Sequence, residues 1–150
     1  MYTVLLTAHS WLRWGVVLAG LMSVVGNIGA RPVWTPADTR AARVFVGMID
    51  LQMTLGLILY LAVSPFTQAA FGNFSLAMHD TVLRFWAVEH ITGMLLAVTL
   101  AHLGQVRSRR QVPAQTRHRA ALIWFGASLV AILVTMPWPF LHYGRPLLRW

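Results

Sequence analysis

Long apolar runs separated by short polar stretches set the pattern of this chain. Four runs approach or exceed the roughly 20 residues that cross the hydrocarbon of a bilayer as a helix. They cover residues 4–29, 44–63, 83–106 and 120–136. Charge inside them is sparse. Arg13 lies in the first run, Asp50 in the second, and Arg84, Glu89, His90 and His102 in the third; the fourth carries none. All seven prolines fall outside the runs, as continuous helices require, because proline removes a helix hydrogen bond and clashes with the preceding turn. The runs do not alternate with period two, which argues against barrel strands. The pattern predicts an all-α fold: one domain over residues 1–150, a transmembrane four-helix bundle, antiparallel and up-down because its connections are short.

Composition agrees with that pattern and narrows the function classes. Of 150 residues, 57% are hydrophobic and 11% charged, against roughly 45–50% apolar and about 25% charged in average soluble proteins. A soluble domain of this size cannot hide so much apolar surface. Disorder, a nucleic-acid-binding domain and most soluble enzymes are excluded, and a lipid bilayer is the expected surrounding. The formal charge of +8 comes from arginine alone, with four acids opposing it. Arg31, Arg40 and Arg43 in the first connection and Arg107, Arg109, Arg110, Arg117 and Arg119 in the third fall on one side. Arg84, Arg145 and Arg149 fall on the other. The positive-inside rule then puts both termini outside the cytoplasm. The N-terminus lacks the basic region and clear cleavage site of a signal peptide, so the first run is expected to remain a span. Trp11, Trp14, Trp34, Trp86 and Trp138 lie near span ends, as interfacial tryptophans do. With no cysteine, disulfides, thiolate metal sites, iron–sulfur clusters and covalent c-type haem are excluded.

A charge in hydrocarbon costs roughly 2.5–3.5 kcal/mol on insertion scales, so each one needs a partner or a task. The orientation puts His9, Arg13, Glu89 and His90 in the outer halves of the first and third helices. Arg13 and Glu89 are expected to form an ion pair. Asp50 and His102 lie near the cytoplasmic ends of the second and third helices and form an expected inner pair. Such pairs can simply fix helix register. Small residues recur at helical spacing, Gly15, Ala19, Ser23 and Gly26 on the first helix and Gly93, Ala97, Ala101 and Gly104 on the third. They let backbones approach closely and also leave room for a flat cofactor.

The same residues suit haem b, which needs no cysteine but one or two axial histidines on facing helices, an apolar slot and often an arginine near its propionates. His90 and His9 sit at matching depth on different helices and are the expected iron ligands, with Arg13 beside a propionate. His90 and His102 differ by 12 residues, about 18 Å of rise and a 120° turn, so they do not share a face. His102 is at most the ligand of a separate inner site beside Asp50.

Several motifs carry a family resemblance across nearly the whole chain. They are His9-Ser-Trp-Leu-Arg-Trp14, Gln52-x-x-x-Gly56-Leu-Ile-Leu-Tyr60, Arg84-Phe-Trp-Ala-Val-Glu-His90, His102-Leu-Gly104, Arg117-His-Arg-x-Ala121 and Pro137-Trp-Pro-Phe140. On them the chain resembles a family of small four-span bacterial membrane proteins labelled cytochrome b-like. The resemblance implies a haem protein. Asp50 stands where a two-haem pattern would place a histidine, which argues against an inner haem.

Three functions follow as expectations. One is a haem b-binding membrane electron-transfer protein or subunit, partnered by a quinone or by other membrane redox subunits. Another is a cofactor-free accessory subunit that packs against other membrane proteins; the sequence leaves open whether the chain forms an oligomer. The third, a proton or solute carrier, is weakened by four short, unbroken spans. The sequence holds no G-x-S-x-G, phosphate loop or H-E-x-x-H, so enzyme activity beyond electron transfer has no support.

Overall fold

The computed structural model describes residues 1–110 and 112–148, which leaves Arg149 outside the described residues. Four long helical rods, each long and apolar enough to cross a membrane, make up the bundle. Helix α1 spans Tyr2–Val25 and α2 spans Pro36–Ile58. Short helices α3 (Pro65–Gly72) and α4 (Phe74–His79) lie between the second and third rods. The third rod joins α5 (Thr81–Arg84) to α6 (His90–Ser108), and α7 (Ala114–Thr135) is the fourth. Packing runs α1 on α2, α2 on α6, α6 on α7 and α7 on α1. The first and third rods therefore face each other across the bundle diagonal. The chain is a multi-pass membrane protein with the expected all-α, up-down architecture.

Rod limits depart from the apolar runs where caps, rather than hydropathy, decide. Helix α1 ends at Val25, short of residue 29, and the chain turns through Gly29 at φ 86°, a left-handed conformation that glycine adopts without strain. Helix α2 begins at Pro36, well before residue 44. Thr35 and Asp38 form a reciprocal capping box, Pro36 occupies the first turn, and Arg31 pairs with Asp38. Arg40 and Arg43 thus belong to the helix, although their charge hides its start from a hydropathy reading.

Two rods contain π-helical turns, Leu59–Val63 at the end of the second and Phe85–Glu89 inside the third. Both lie in the half of the bundle that carries the chain termini. A π turn adds one residue to the helical repeat and shifts every later side chain around the axis.

The outer surface is apolar. Leu18, Leu21, Met22, Leu61, Leu95, Leu96, Ile123, Val130 and Val134 all point outward, as lipid-facing residues do. Small groups mediate the tightest internal contact. Ala97 and Ala101 are fully buried, and Ser128 Oγ donates to Ala97 O at 2.8 Å. A Cβ on Gly93 would stand 2.1 Å from Thr135 Cγ2, and one on Gly104 would stand 2.7 Å from the Phe125 ring. The small-residue face of the third rod is therefore filled by the fourth helix, which is backbone packing rather than a cofactor slot.

Candidate functional site

Within the termini half of the bundle lies a cavity lined by all four rods. Its volume is about 120 Å³, against about 10–15 Å³ for one water, so the cavity is far larger than a hydration site. Val16, Ile49, Met53, Leu59, Ile91, Met94, Val98 and Ile132 give it apolar walls. His9, Arg13, Gln52, Tyr60, Trp86, His90 and Arg145 bring polar groups to it.

Helix α1 supplies His9, Arg13 and Val16, spaced three and four apart so that they stack on one face. The His9 ring lies against a bare stretch of α2, where a Cβ on Gly56 would come within 3.2 Å of His9 Cε1. One turn away, Gln52 Nε2 donates to the His9 carbonyl at 3.0 Å and fixes the two helices in register.

His90 enters from α6, immediately after the π turn. Its Nδ1 lies 2.9 Å from Thr135 O. A carbonyl only accepts, so Nδ1 carries the hydrogen and Nε2 keeps its lone pair. The ring is further fixed by Phe85 and Trp86, with centroids 5.6 Å and 5.4 Å from its own. A carbonyl on one imidazole nitrogen is the usual orienting partner of a metal-binding histidine.

Three buried polar atoms on this lining have no hydrogen-bond partner among the described residues: His9 Nδ1, Gln52 Oε1 and Trp86 Nε1. Buried polar groups in proteins are nearly always paired, so an orphaned group marks a bound molecule or water. Here all three belong to residues of the same cavity.

The C-terminal stretch closes this end of the bundle. Arg13 Nη2 and Trp14 Nε1 both donate to Leu147 O, at 2.7 Å and 2.9 Å. The Arg145 guanidinium carbon stands 4.6 Å from the Phe66 ring centroid and 5.1 Å from that of Trp86. Two cationic side chains therefore flank one apolar chamber.

The structure thus brings His9, Arg13 and His90 into one cavity. It does not bring Glu89 there. Glu89 Oε1 accepts from Arg84 Nε at 2.8 Å, with both side chains well exposed, and the expected Arg13–Glu89 ion pair is replaced by this local one. The cause is the π turn. Residues five apart diverge on an α-helix but stack on a π turn, so Arg84 meets Glu89 and turns it outward. His102 is also absent from the cavity lining. Its Nε2 lies 2.8 Å from Asp50 Oδ1, as the inner pair was expected to, with both side chains about half exposed on the outside of the bundle.

Trp86, expected near a span end, also lines the cavity, a role its position in the sequence did not reveal. Sequence reasoning did not single out Gln52, Tyr60, Thr135 or Arg145 for the site. Gln52 and Tyr60 stand in one quoted motif, four and eight positions along a helix, a spacing that puts them on one face with Gly56. Thr135 acts through its carbonyl, which no residue pattern reports.

Protein-family models, curated proteins and solved structures compared with this chain give no match.

Proposed function

We propose that this chain is a haem b-binding membrane protein that transfers electrons, alone or as a subunit of a larger redox complex. The observation that carries the reading is the convergence of His9 and His90, from diagonally opposed rods, on one apolar cavity. Two imidazoles are too few for a structural zinc site, which takes four protein ligands. They match haem, whose macrocycle supplies nitrogen ligands of its own and would take one or two imidazoles from the protein. The donor chemistry fits: Thr135 O holds one nitrogen of His90 and leaves the other with a lone pair, and neutral imidazole carries no charge into hydrocarbon.

When bound, the haem supplies one-electron redox chemistry at its iron. The chain's residues bind, orient and shield it. His90 and His9 would hold the iron, Gly56 lets His9 lie close against α2, and the apolar walls would exclude water. Arg13 and Arg145 supply positive charge for the propionates. The resemblance to cytochrome b-like proteins points the same way. The electron partner is a membrane quinone or a membrane redox subunit, because a carrier held in lipid exchanges electrons with partners that share the membrane. The arginine bias supports an orientation with both termini outside the cytoplasm, and the resemblance to bacterial proteins supports an inner-membrane location.

The test is a visible spectrum of the protein purified after haem-supplemented expression, oxidised and then dithionite-reduced. A Soret and α band on reduction are the expected result. A colourless protein overturns the reading and leaves the cofactor-free accessory subunit in its place.

A further inference from the structure

A second concave site lies at the opposite end of the bundle, where α2 begins. Arg40, Arg43 and Arg117 line it together with Trp34 and Thr39. Arg117 is held in place: its Nε donates to Ser108 O at 2.6 Å, and its guanidinium carbon stands 4.4 Å from the Trp34 ring centroid. Trp34 is itself fixed by donating Nε1 to Thr39 Oγ1 at 2.8 Å. By contrast, Arg40 and Arg43 are exposed, and their side chains form no hydrogen bond or ion pair among the described residues. Asp38, the nearby acid, is taken by Arg31 and by its own helix cap. The pocket therefore holds three guanidiniums, one of them pre-oriented, with no carboxylate among its lining residues.

We propose that this pocket binds the phosphate headgroup of an anionic phospholipid. Guanidinium groups match phosphate oxygens in geometry and charge, and basic pockets between membrane helices bind such headgroups. The position fits a lipid. Arg40 and Arg43 lie just before the apolar run of α2, at the level where headgroups meet hydrocarbon, and Trp34 is an amphipathic ring suited to that boundary. A solvated topology signal requires charge at this end of the bundle, but it does not require arginines arranged around a concavity with one of them locked onto a tryptophan.

Native mass spectrometry of the delipidated protein, after adding back phosphatidylglycerol or phosphatidylcholine, tests the site. The expected result is one tightly retained phosphatidylglycerol per chain and no retained phosphatidylcholine. The double variant Arg40→Gln with Arg43→Gln should weaken retention about 30-fold, at roughly fivefold for each basic residue. The double variant Arg109→Gln with Arg110→Gln removes the same charge from the same end but leaves the pocket intact, and it should retain the lipid. Equal loss in both double variants, or equal retention of both lipids, overturns the proposal in favour of diffuse charge. Inorganic phosphate alone is the third arm. Retention of phosphate without retention of phosphatidylglycerol overturns the lipid assignment and marks a free-phosphate site. None of these outcomes depends on haem.

Discussion

The two halves of this bundle use buried histidine in opposite ways. In the loop half, His118 is fully buried, with Nδ1 2.7 Å from Asn27 Oδ1 and Nε2 3.1 Å from Val33 O. Asn27 in turn donates to Ser23 O at 2.7 Å. Around it the packing is closed: Phe45 meets Phe125 edge to face at 5.6 Å, and Gly104 admits the Phe125 ring. In the termini half and among the described residues, His9 Nδ1 has no hydrogen-bond partner and His90 is held by one nitrogen only, beside an open cavity. A fully buried histidine with a protein oxygen against each ring nitrogen is a strut. A partly buried one held by a single nitrogen beside a cavity is arranged for a ligand.

Exchanging these three histidines for alanine, one at a time, puts this contrast to its hardest test. The His90→Ala variant should lose the haem spectrum altogether while the chain still inserts and purifies as a folded bundle. His9→Ala should convert a six-coordinate, low-spin spectrum into a five-coordinate one. His118→Ala should leave the spectrum unchanged. An unchanged spectrum in His90→Ala would remove this residue from the site.

Stability should follow the reverse order. His118→Ala empties a fully buried position and removes the ring that Asn27 Oδ1 and Val33 O both face, Asn27 from the buried interior and Val33 from a partly exposed connection. Loss of packing together with unsatisfied polar groups predicts destabilisation of about 2–4 kcal/mol, read by SDS or thermal unfolding in detergent. A loss below about 0.5 kcal/mol would show that water takes over both bonds, and the closed character assigned to this half would fail.

Gly93 couples packing to the site. An alanine there would set its Cβ against Thr135, whose hydroxyl donates to Ala131 O at 2.7 Å and whose β-branched side chain has little rotamer freedom. Overpacking of this kind costs about 1–3 kcal/mol. The displacement should also disturb the Thr135 carbonyl that orients His90, so Gly93→Ala is expected to shift the haem spectrum as well as the melting midpoint. Gly104→Ala, at a similar contact in the loop half, should change the midpoint without the spectrum.

The legible part of this molecule was the part that hydropathy and helical periodicity control. Four apolar runs gave the rods, and the 120° offset that keeps His90 and His102 off one face holds because both lie on the regular helix α6; that the His102 side chain would be about half exposed, away from the cavity, was not foreseen. The Asp50–His102 pair followed from depth alone. Failure began where regular periodicity stopped. The π turn at Phe85–Glu89 added a residue to the repeat, so a uniform helix could not foresee that Glu89 would turn away from Arg13 toward Arg84. Likewise the cap at Thr35 and Asp38 set the start of α2 against the charge of Arg40 and Arg43. Groups that act through backbone, such as Thr135 O and Leu147 O, leave no mark in residue type. Arg145 became part of the cavity only because the chain after α7 folds back across the bundle end.

The smallest expected effect concerns that irregular backbone. A π turn moves the hydrogen-bond ladder from four to five residues and leaves carbonyls out of register, so side chains are recruited to complete it. Tyr60 does this across the cavity, its hydroxyl donating to Ala87 O at 2.6 Å within the second π turn. Tyr60 itself lies in the first π turn, whose register is held by Thr67 Oγ1 donating to Tyr60 O at 2.7 Å. One bond thus ties the two irregular segments together. Tyr60→Phe keeps the ring, which packs edge to face on Phe71 with centroids 5.5 Å apart, and removes only the hydroxyl. The expected cost is about 1 kcal/mol in unfolding, with faster amide hydrogen exchange confined to the two π turns and no change in the loop half. Exchange that rises evenly across both halves would mean that the irregular turns are not a separate unit, and the division between an open half and a closed one would lose its dynamic counterpart.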